Sequence, residues 1–400
     1  MTCKPFSLYI HVPFCAHKCP YCDFNTYATQ TIPEAEYVEA LLADLQRYAE
    51  DARFAGRPIG TIFFGGGTPS LLSAGAIARV IDEAAMCFGK QADAEVTLEA
   101  NPSRATQERL EAFQAAGINR VSFGVQSFKP ELLRALGRDH TADEAVKAVE
   151  AAVRVGLSNV SLDLMYGVPQ QTLKDVEGDL EVALKLPVQH ISAYALSVEP
   201  GTPFFQRQER GLLTVPADEE VAGMMDRLPE LLAEQGFSRY EISNYARAGF
   251  QSRHNTVYWS GGDYLGIGAG AHSYVAIRNE SRIEGGERWS TLANPQAYMA
   301  AAHTHAPVAW REALLADDLA FEFFYLGLRK VEGVSRKDFE SNFGRPWDDT
   351  YGAILNELAD EGFLSFSSSG VALTHEGIKL SDSVYERLVE SLPERESGRS

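Results

Sequence analysis

Apolar, β-rich runs alternate with segments of helical periodicity through the first half of the chain. The runs Leu8 to Val12, Thr61 to Phe64, Glu95 to Glu99, Arg120 to Val125, Val160 to Met165 and His190 to Ser197 are short, apolar and β-rich, which predicts strands. After the first run, Pro33 opens a stretch in which Tyr37, Val38, Leu41, Leu42, Leu45 and Tyr48 recur at helical spacing. This predicts a crossover helix. Similar stretches follow at Ala76 to Phe88, Gln107 to Ala116, Glu131 to Gly156, with room for two short helices, and Thr172 to Leu186. Six strand-then-helix units predict an α/β domain over residues 1–200 whose parallel sheet curls into a partial (β/α)6 barrel.

From Pro200 the pattern turns Gly-rich and aromatic, above all between Tyr240 and Tyr274, and predicts a cap or extension of the barrel over residues 201–306. Helical runs return at Asp317 to Lys330, Ser335 to Phe343 and Tyr351 to Glu361. Phe363 to Thr374, with a turn at Ser367 to Gly370, then reads as a hairpin. Helices followed by a hairpin predict a small winged-helix-like domain over residues 307–392, and the polar residues 393–400 read as a disordered tail.

Composition narrows the function classes. Among 400 residues no window approaches the ~20 apolar residues of a membrane span, and the first fifteen lack the apolar stretch of a signal peptide. The expectation is a cytoplasmic protein, not an integral membrane one. The formal net charge is −19, and residues 311–390 carry 8 basic against 16 acidic side chains, so nucleic acid is a disfavoured partner even for the winged-helix-like part. Five cysteines are an odd number, and three of them fall within eight residues, so a disulfide framework is not indicated.

Those three, Cys15, Cys19 and Cys22, form C-x-x-x-C-x-x-C directly after the first predicted strand. Zinc sites pair C-x-x-C units to reach four ligands, and no second pair exists, since Cys3 and Cys87 stand alone. Three thiolates from one loop suit a 4Fe-4S cluster whose fourth iron lacks a protein ligand. The motif, with Tyr21 just before its last cysteine, resembles the radical S-adenosylmethionine (SAM) superfamily. That resemblance implies SAM bound at the open iron and a one-electron reduction of its sulfonium, which yields methionine and a 5′-deoxyadenosyl radical.

In a barrel of this kind functional groups gather at the C-terminal strand ends. The second predicted strand ends in F-F-G-G-G-T-P-S, which taken alone is equally a tight turn and which lacks the G-K-[ST] of a phosphate loop. The third ends at Glu99, the fourth at Gln126 and the fifth carries Asp163, polar groups that would be costly if buried without partners. These segments resemble the SAM-contacting motifs of the oxygen-independent coproporphyrinogen oxidase family. The resemblance implies that Tyr9, Tyr21, Gly66, Gly67, Thr68, Glu99, Gln126, Arg138, Asp163 and Ala195 contact SAM, with Arg138 suited to its carboxylate.

Oxidases of that family continue the motif to C-x-x-x-C-x-x-C-x-C behind an N-terminal extension. Here the corresponding position is Phe24 and only fourteen residues precede Cys15, departures that resemble the HemW-type heme chaperones. The hexapeptide H-N-T-V-Y-W at residues 254–259 is similar to their H-N-x-x-Y-W signature. It implies heme contacts from His254, Asn255, Tyr258 and Trp259, although a single buried histidine is as often structural. The stretch Y-L-G-I-G-A-G-A-H-S-Y reads as a structural loop, with His272 a weaker ligand candidate and His303 and His305 surface residues. The leading expectation is a heme chaperone that binds a 4Fe-4S cluster, SAM and heme, receives electrons from a donor such as flavodoxin or ferredoxin, and passes heme to acceptor proteins. The alternatives are a coproporphyrinogen III oxidase using the adenosyl radical and a radical SAM enzyme acting on another small molecule; whether SAM is cleaved stays open at this level.

Overall fold

The computed structural model describes residues 4–391. Its six barrel strands are β1 (Phe6–Val12), β2 (Ile59–Gly66), β3 (Lys90–Ala100), β4 (Arg120–Gln126), β5 (Asn159–Tyr166) and β6 (His190–Ala195), all parallel. The helices between them are α1 (Glu34–Ala49), α2 (Ala74–Phe88), α3 (Gln107–Ala115), the pair α4 (Pro130–Ala135) and α5 (Ala142–Arg154), and α6 (Leu173–Ala183). This is the arc expected from the periodicity. Strand parity sorts β1 cleanly: Phe6, Leu8, Ile10 and Val12 pack into the outer helical layer with Val38, Leu41 and Leu45 of α1, leaving Ser7, Tyr9 and His11 on the inner face.

Six strands do not close a barrel, and the chain after α7 (Pro203–Glu209) and α8 (Asp218–Glu234) returns to both edges of the arc. Past β6, β8 (Asn244–Ala246) adds antiparallel and β7 (Ser238–Glu241) pairs with it. At the other edge, after the short helix α9 (Arg253–Trp259), β9 (Tyr264–Ile267) pairs parallel with Ser7 to Ile10. β10 (His272–Asn279), β11 (Arg282–Thr291) and β12 (Val308–Leu315) continue from it antiparallel, with α10 (Pro295–Ala302) between the last two. The result is one twelve-stranded sheet in the order β12-β11-β10-β9-β1-β2-β3-β4-β5-β6-β8-β7.

The structural-loop expectation for residues 264–274 is therefore corrected: these residues are two strands around a tight turn. Alternating glycines erase the usual strand signature, and the turn needs them, since a Cβ on Gly270 would stand 2.3 Å from the side-chain nitrogen of Asn25. Two tyrosines anchor the turn. The buried Tyr37 hydroxyl donates to His11 O at 2.8 Å and accepts from Ala269 N at 2.9 Å. Tyr298 accepts from Gly268 N at 3.0 Å and donates to the buried Asp44 at 3.0 Å. α1, α10, β1 and the turn are thus one hydrogen-bonded unit.

The C-terminal part comprises α11 (Ala316–Gly327), α12 (Arg336–Phe343) and α13 (Asp348–Asp360), and then the antiparallel strands Leu364–Phe366 and Gly370–Leu373, with Val334–Ser335 as the third strand of their sheet. Phe324, Phe339, Trp347, Tyr351 and Leu355 form its separate core. α11 lies across the inner face of β11, where Arg288 pairs with Glu322. Among the described residues no helix is long and apolar enough to cross a membrane. The predicted tail, residues 393–400, lies outside the described residues.

Tyr37→Phe removes one hydroxyl and leaves a buried amide and a buried carbonyl without their partner. The expected loss is about 2 kcal/mol of unfolding free energy, read from the midpoint of urea denaturation at unchanged slope. An unchanged midpoint would show that the turn is held by Tyr298 alone.

Candidate functional site

The barrel strands β2 to β6 end at the rim of one open cavity of about 560 Å³, within the range of small-molecule sites. The loop after β1 forms one wall. Its base is closed by parallel pairing of Phe14 and Cys15 with Tyr27 and Ala28, and Lys18 holds it from within through the carbonyls of Phe24 and Thr26 at 3.1 and 3.3 Å. Cys15, Cys19 and Cys22 all face the cavity. Donors are aimed at their sulfurs: Thr68 Oγ1 lies 3.6 Å from Cys15 Sγ and Arg138 Nη1 lies 3.4 Å from Cys19 Sγ. Burial pushes the thiols of Cys15 and Cys22 above their usual range, so metal binding there displaces protons.

Among the described residues no three His, Cys, Asp or Glu side chains converge on a point that a single ion could occupy. Three thiols of one loop that face one cavity suit a cubane, in which each thiolate binds a different iron. Donors already aimed at the sulfurs are what a cluster of this type uses to set its potential. The residues present fit the group.

Opposite the thiols, β2 ends in the glycine run. A Cβ on Gly67 would stand 2.6 Å from Phe14 O, so only glycine lets this backbone pass beneath the cysteine loop. The amide of Gly66 donates to Glu99 Oε2 at 3.2 Å. Burial first, and then the neighbouring Asp163, raise the Glu99 carboxyl to about 8. Asp163 is also raised, by burial, against which hydrogen bonds from Ser192 and Ser122 act. Gln126 ends β4 at φ +69°, a left-handed conformation unusual for a side chain of its size and here located at the cavity. Arg138 donates through Nη2 to Gly124 O at 2.6 Å, while its buried Nε has no partner.

Of the residues expected to contact SAM, Tyr21, Gly66, Gly67, Thr68, Glu99, Gln126, Arg138, Asp163 and Ala195 therefore line a single cavity. Tyr9 does not. Its side chain packs below the cavity between Phe63 and His254, with its hydroxyl 3.0 Å from His11 Nδ1. The sequence reading also passed over Arg120, Ser122 and Tyr194, which line the same space. Arg120 is a buried guanidinium whose Nε has no partner, and a charged residue heading an apolar run was the available signal.

The four H-N-x-x-Y-W residues part ways. α9 plugs the floor of the barrel, with both oxygens of the buried Glu95 carboxylate accepting from its first amides, Arg253 N and His254 N, each at 3.1 Å. Thr61 gives its hydroxyl proton to Ser7, so His254 Nδ1 donates to Thr61 at 2.7 Å and Nε2 accepts from the Tyr258 hydroxyl at 2.8 Å. Burial holds the ring neutral, its value lowered to about 3. In this arrangement both ring nitrogens of His254 are engaged within the fold. Tyr258 stands edge-on to Tyr264, and Trp259 lies under the Arg329 guanidinium. Asn255 alone of the four reaches the cavity, from below.

An open parallel barrel with three thiols in the loop after its first strand defines a radical SAM protein, and residues 9–183 match the model of the radical SAM superfamily. Residues 314–380 match that of the HemN C-terminal domain. The fold superposes on coproporphyrinogen III oxidase (HemN) of Escherichia coli with a TM-score of 0.81, over 97% of this chain and 91% of that one, at 22% identity. Sequence similarity is higher elsewhere. The chain is 39% identical to heme chaperone HemW of Bacillus subtilis over 95% of its own length and 98% of the relative's, and 38% identical to heme chaperone HemW of E. coli over 96% and 97%. The relative of that name in Haemophilus influenzae is 41% identical over 85% and 86%. The chain belongs to the heme chaperone HemW family.

The raised Glu99 carboxyl has a signed consequence in the ligand-free protein. The unfolded chain ionises near 4.5 and the folded one near 8, so stability falls as pH rises across that window. Because Glu99 faces an open cavity, solvent screens part of the penalty, and we expect Glu99→Gln to gain about 1–2 kcal/mol over wild type at pH 9 and little at pH 4. Parallel stability profiles for the two proteins would show that Glu99 ionises normally.

Proposed function

We propose that this protein is a cytoplasmic heme chaperone that carries a 4Fe-4S cluster and SAM, binds heme and transfers it to acceptor proteins. The observation that carries the reading is near-full-length identity of 35–39% with proteins named heme chaperone HemW from Bacillus, Lactococcus and Escherichia. Cys15, Cys19 and Cys22 would hold three irons of the cluster and leave the fourth facing the cavity. The cluster, when bound, supplies one-electron reduction of the SAM sulfonium, with flavodoxin or ferredoxin as the class of donor.

The chain's own groups bind and orient. Gly66, Gly67 and Thr68 offer backbone and hydroxyl at the end of β2, and Glu99 and Asp163 accept from ammonium and hydroxyl donors. A cationic ligand beside this pair draws Glu99 back toward its anion, because the charge that burial disfavours is then matched. Arg138 offers its free Nε to a carboxylate while its other nitrogens hold Cys19 and Gly124. Tyr21, Gln126 and Ala195 complete the walls. The oxidase alternative is not favoured: Phe24, where the oxidase motif has a further cysteine, is an exposed phenylalanine.

Anaerobically reconstituted protein is expected to bind heme stoichiometrically and release it to an apo-hemoprotein. Formation of protoporphyrinogen at catalytic turnover from coproporphyrinogen, SAM and reductant would overturn the reading. Cys15→Ala, Cys19→Ala and Cys22→Ala should each abolish the iron-sulfur absorbance near 400 nm, roughly to baseline, while Cys87→Ala retains it. Equal loss of iron from Cys87→Ala would assign the ligands wrongly.

A further inference from the structure

A guanidinium taken out of water without a matched acceptor is costly, so one left in that state at a cavity wall calls for a ligand. Arg120 is such a group. It is 2% exposed, its Nε has no partner, and no ion pair among the described residues includes it. On β4 it shares the inner face with Ser122, Gly124 and Gln126, and all four line the cavity.

The carboxylates around it are committed elsewhere. Glu95 gives both oxygens to the first amides of α9. Glu99 accepts from Gly66 N, and Asp163 accepts from Ser122. Burial first and then Asp163 raise the Glu99 carboxyl to about 8, a rise that Arg120 offsets only in part, so at neutral pH Glu99 is no full counter-ion. His190 and His254 are held neutral, by burial first and by Arg120 next, and each has both ring nitrogens engaged. A fixed positive charge is thus left at the inner end of the cavity with no anion in contact.

Depth separates this charge from the other guanidinium of the cavity. Arg138 donates to Gly124 O and stands beside Cys19, at the rim. Arg120 enters the same strand four residues earlier, about 13 Å of backbone toward the floor. There it stands opposite Thr97 of β3 and Asn159 of β5, one inner-face step below the pair formed by Glu99 and Ser122. Asn255 of α9 faces the cavity from below and adds a neutral amide.

We propose that the inner end of the cavity is a carboxylate-binding subsite built on Arg120, with Asn255 below it, distinct from the rim position at Arg138. A planar carboxylate accepts two parallel N–H bonds from one guanidinium, which matches charge and shape together. No covalent bond forms or breaks. Two sources of carboxylate fall to this protein, the methionyl group of SAM and the propionates of a heme cargo. Arg138 at the rim is placed for the first, so the second is the expected occupant. That expectation rests on the heme-chaperone reading, whereas the subsite itself does not.

The test is anaerobic titration of the full-length, cluster-loaded protein with heme, heme dimethyl ester, SAM and decarboxylated SAM. Arg120→Gln is expected to weaken heme binding roughly tenfold and the binding of its ester by less than about twofold, with cluster absorbance retained and the two SAM compounds affected alike. A loss confined to SAM over its decarboxylated form keeps the subsite and assigns it to the methionyl carboxylate. Arg120→Lys keeps the charge without the planar fork and should retain part of the preference for heme over its ester; it decides the matter if the glutamine variant does not hold its cluster. Equal losses for each acid and its carboxylate-free analogue, or no loss for any of the four, would overturn the subsite and leave the chaperone reading intact. A wild type that binds SAM but no heme would overturn the chaperone reading instead, and the SAM pair alone would then decide the subsite.

Discussion

A parallel sheet of six strands is too short to close on itself, and every other feature of this molecule follows from how its two raw edges are satisfied. An uncovered edge strand exposes a ladder of unpaired amides and carbonyls. Here β8 covers the edge at β6 and β9 covers the edge at β1, each by backbone pairing. The pairing at β1 is parallel, which requires the chain to cross the open mouth of the arc before it returns. α9 makes that crossing and becomes the floor. Because both edges are occupied, the arc stays open, and the inner face that a closed barrel would fill with its own side chains is left for ligands.

An open interior lined with polar groups must satisfy them from within. Below the cavity this is done by chains of neutral partners, Ser7 to Thr61 to His254 to Tyr258 and Ser161 to His190 to Tyr240, together with Glu95 on the amides of α9. At cavity level the satisfaction is incomplete. Glu99 and Asp163 sit near each other under burial that favours their protonated forms, and Arg120 and Arg138 each keep a nitrogen without partner. Groups left in that condition are stabilised by a ligand of matching charge, which is how a folding cost becomes binding selectivity.

The barrel was legible because its strands are buried on both faces and its crossover helices on one, so local periodicity and tertiary burial agree. The cysteine spacing and the polar strand ends were legible for a related reason: carboxylates and amides closing apolar runs have few structural uses. The second half was not. Gly266, Gly268 and Gly270 hide β9 and its turn, because the side chains that would mark a strand are excluded by close backbone approaches to His272, His11 and Asn25, contacts distant in sequence or across a turn. The surroundings of Tyr9 and His254 were not legible either, because the packing of α9 against β1 and β2, which engages their polar atoms, joins segments far apart in the chain.

The order of residues alone determined a six-unit parallel α/β core, three thiols in one loop for a cluster with an open iron, and an acidic C-terminal module, since each depends on neighbours within about thirty residues, the length of one βαβ unit. Tertiary structure decided which polar atoms remain free. That depends on partners brought together across the sheet, as when Thr61 takes a nitrogen of His254 and the buried Nε of Arg138 is left without a partner at the cavity. A motif fixes which groups are present, whereas availability to iron or to SAM is fixed by hydrogen bonds that only the folded chain can make.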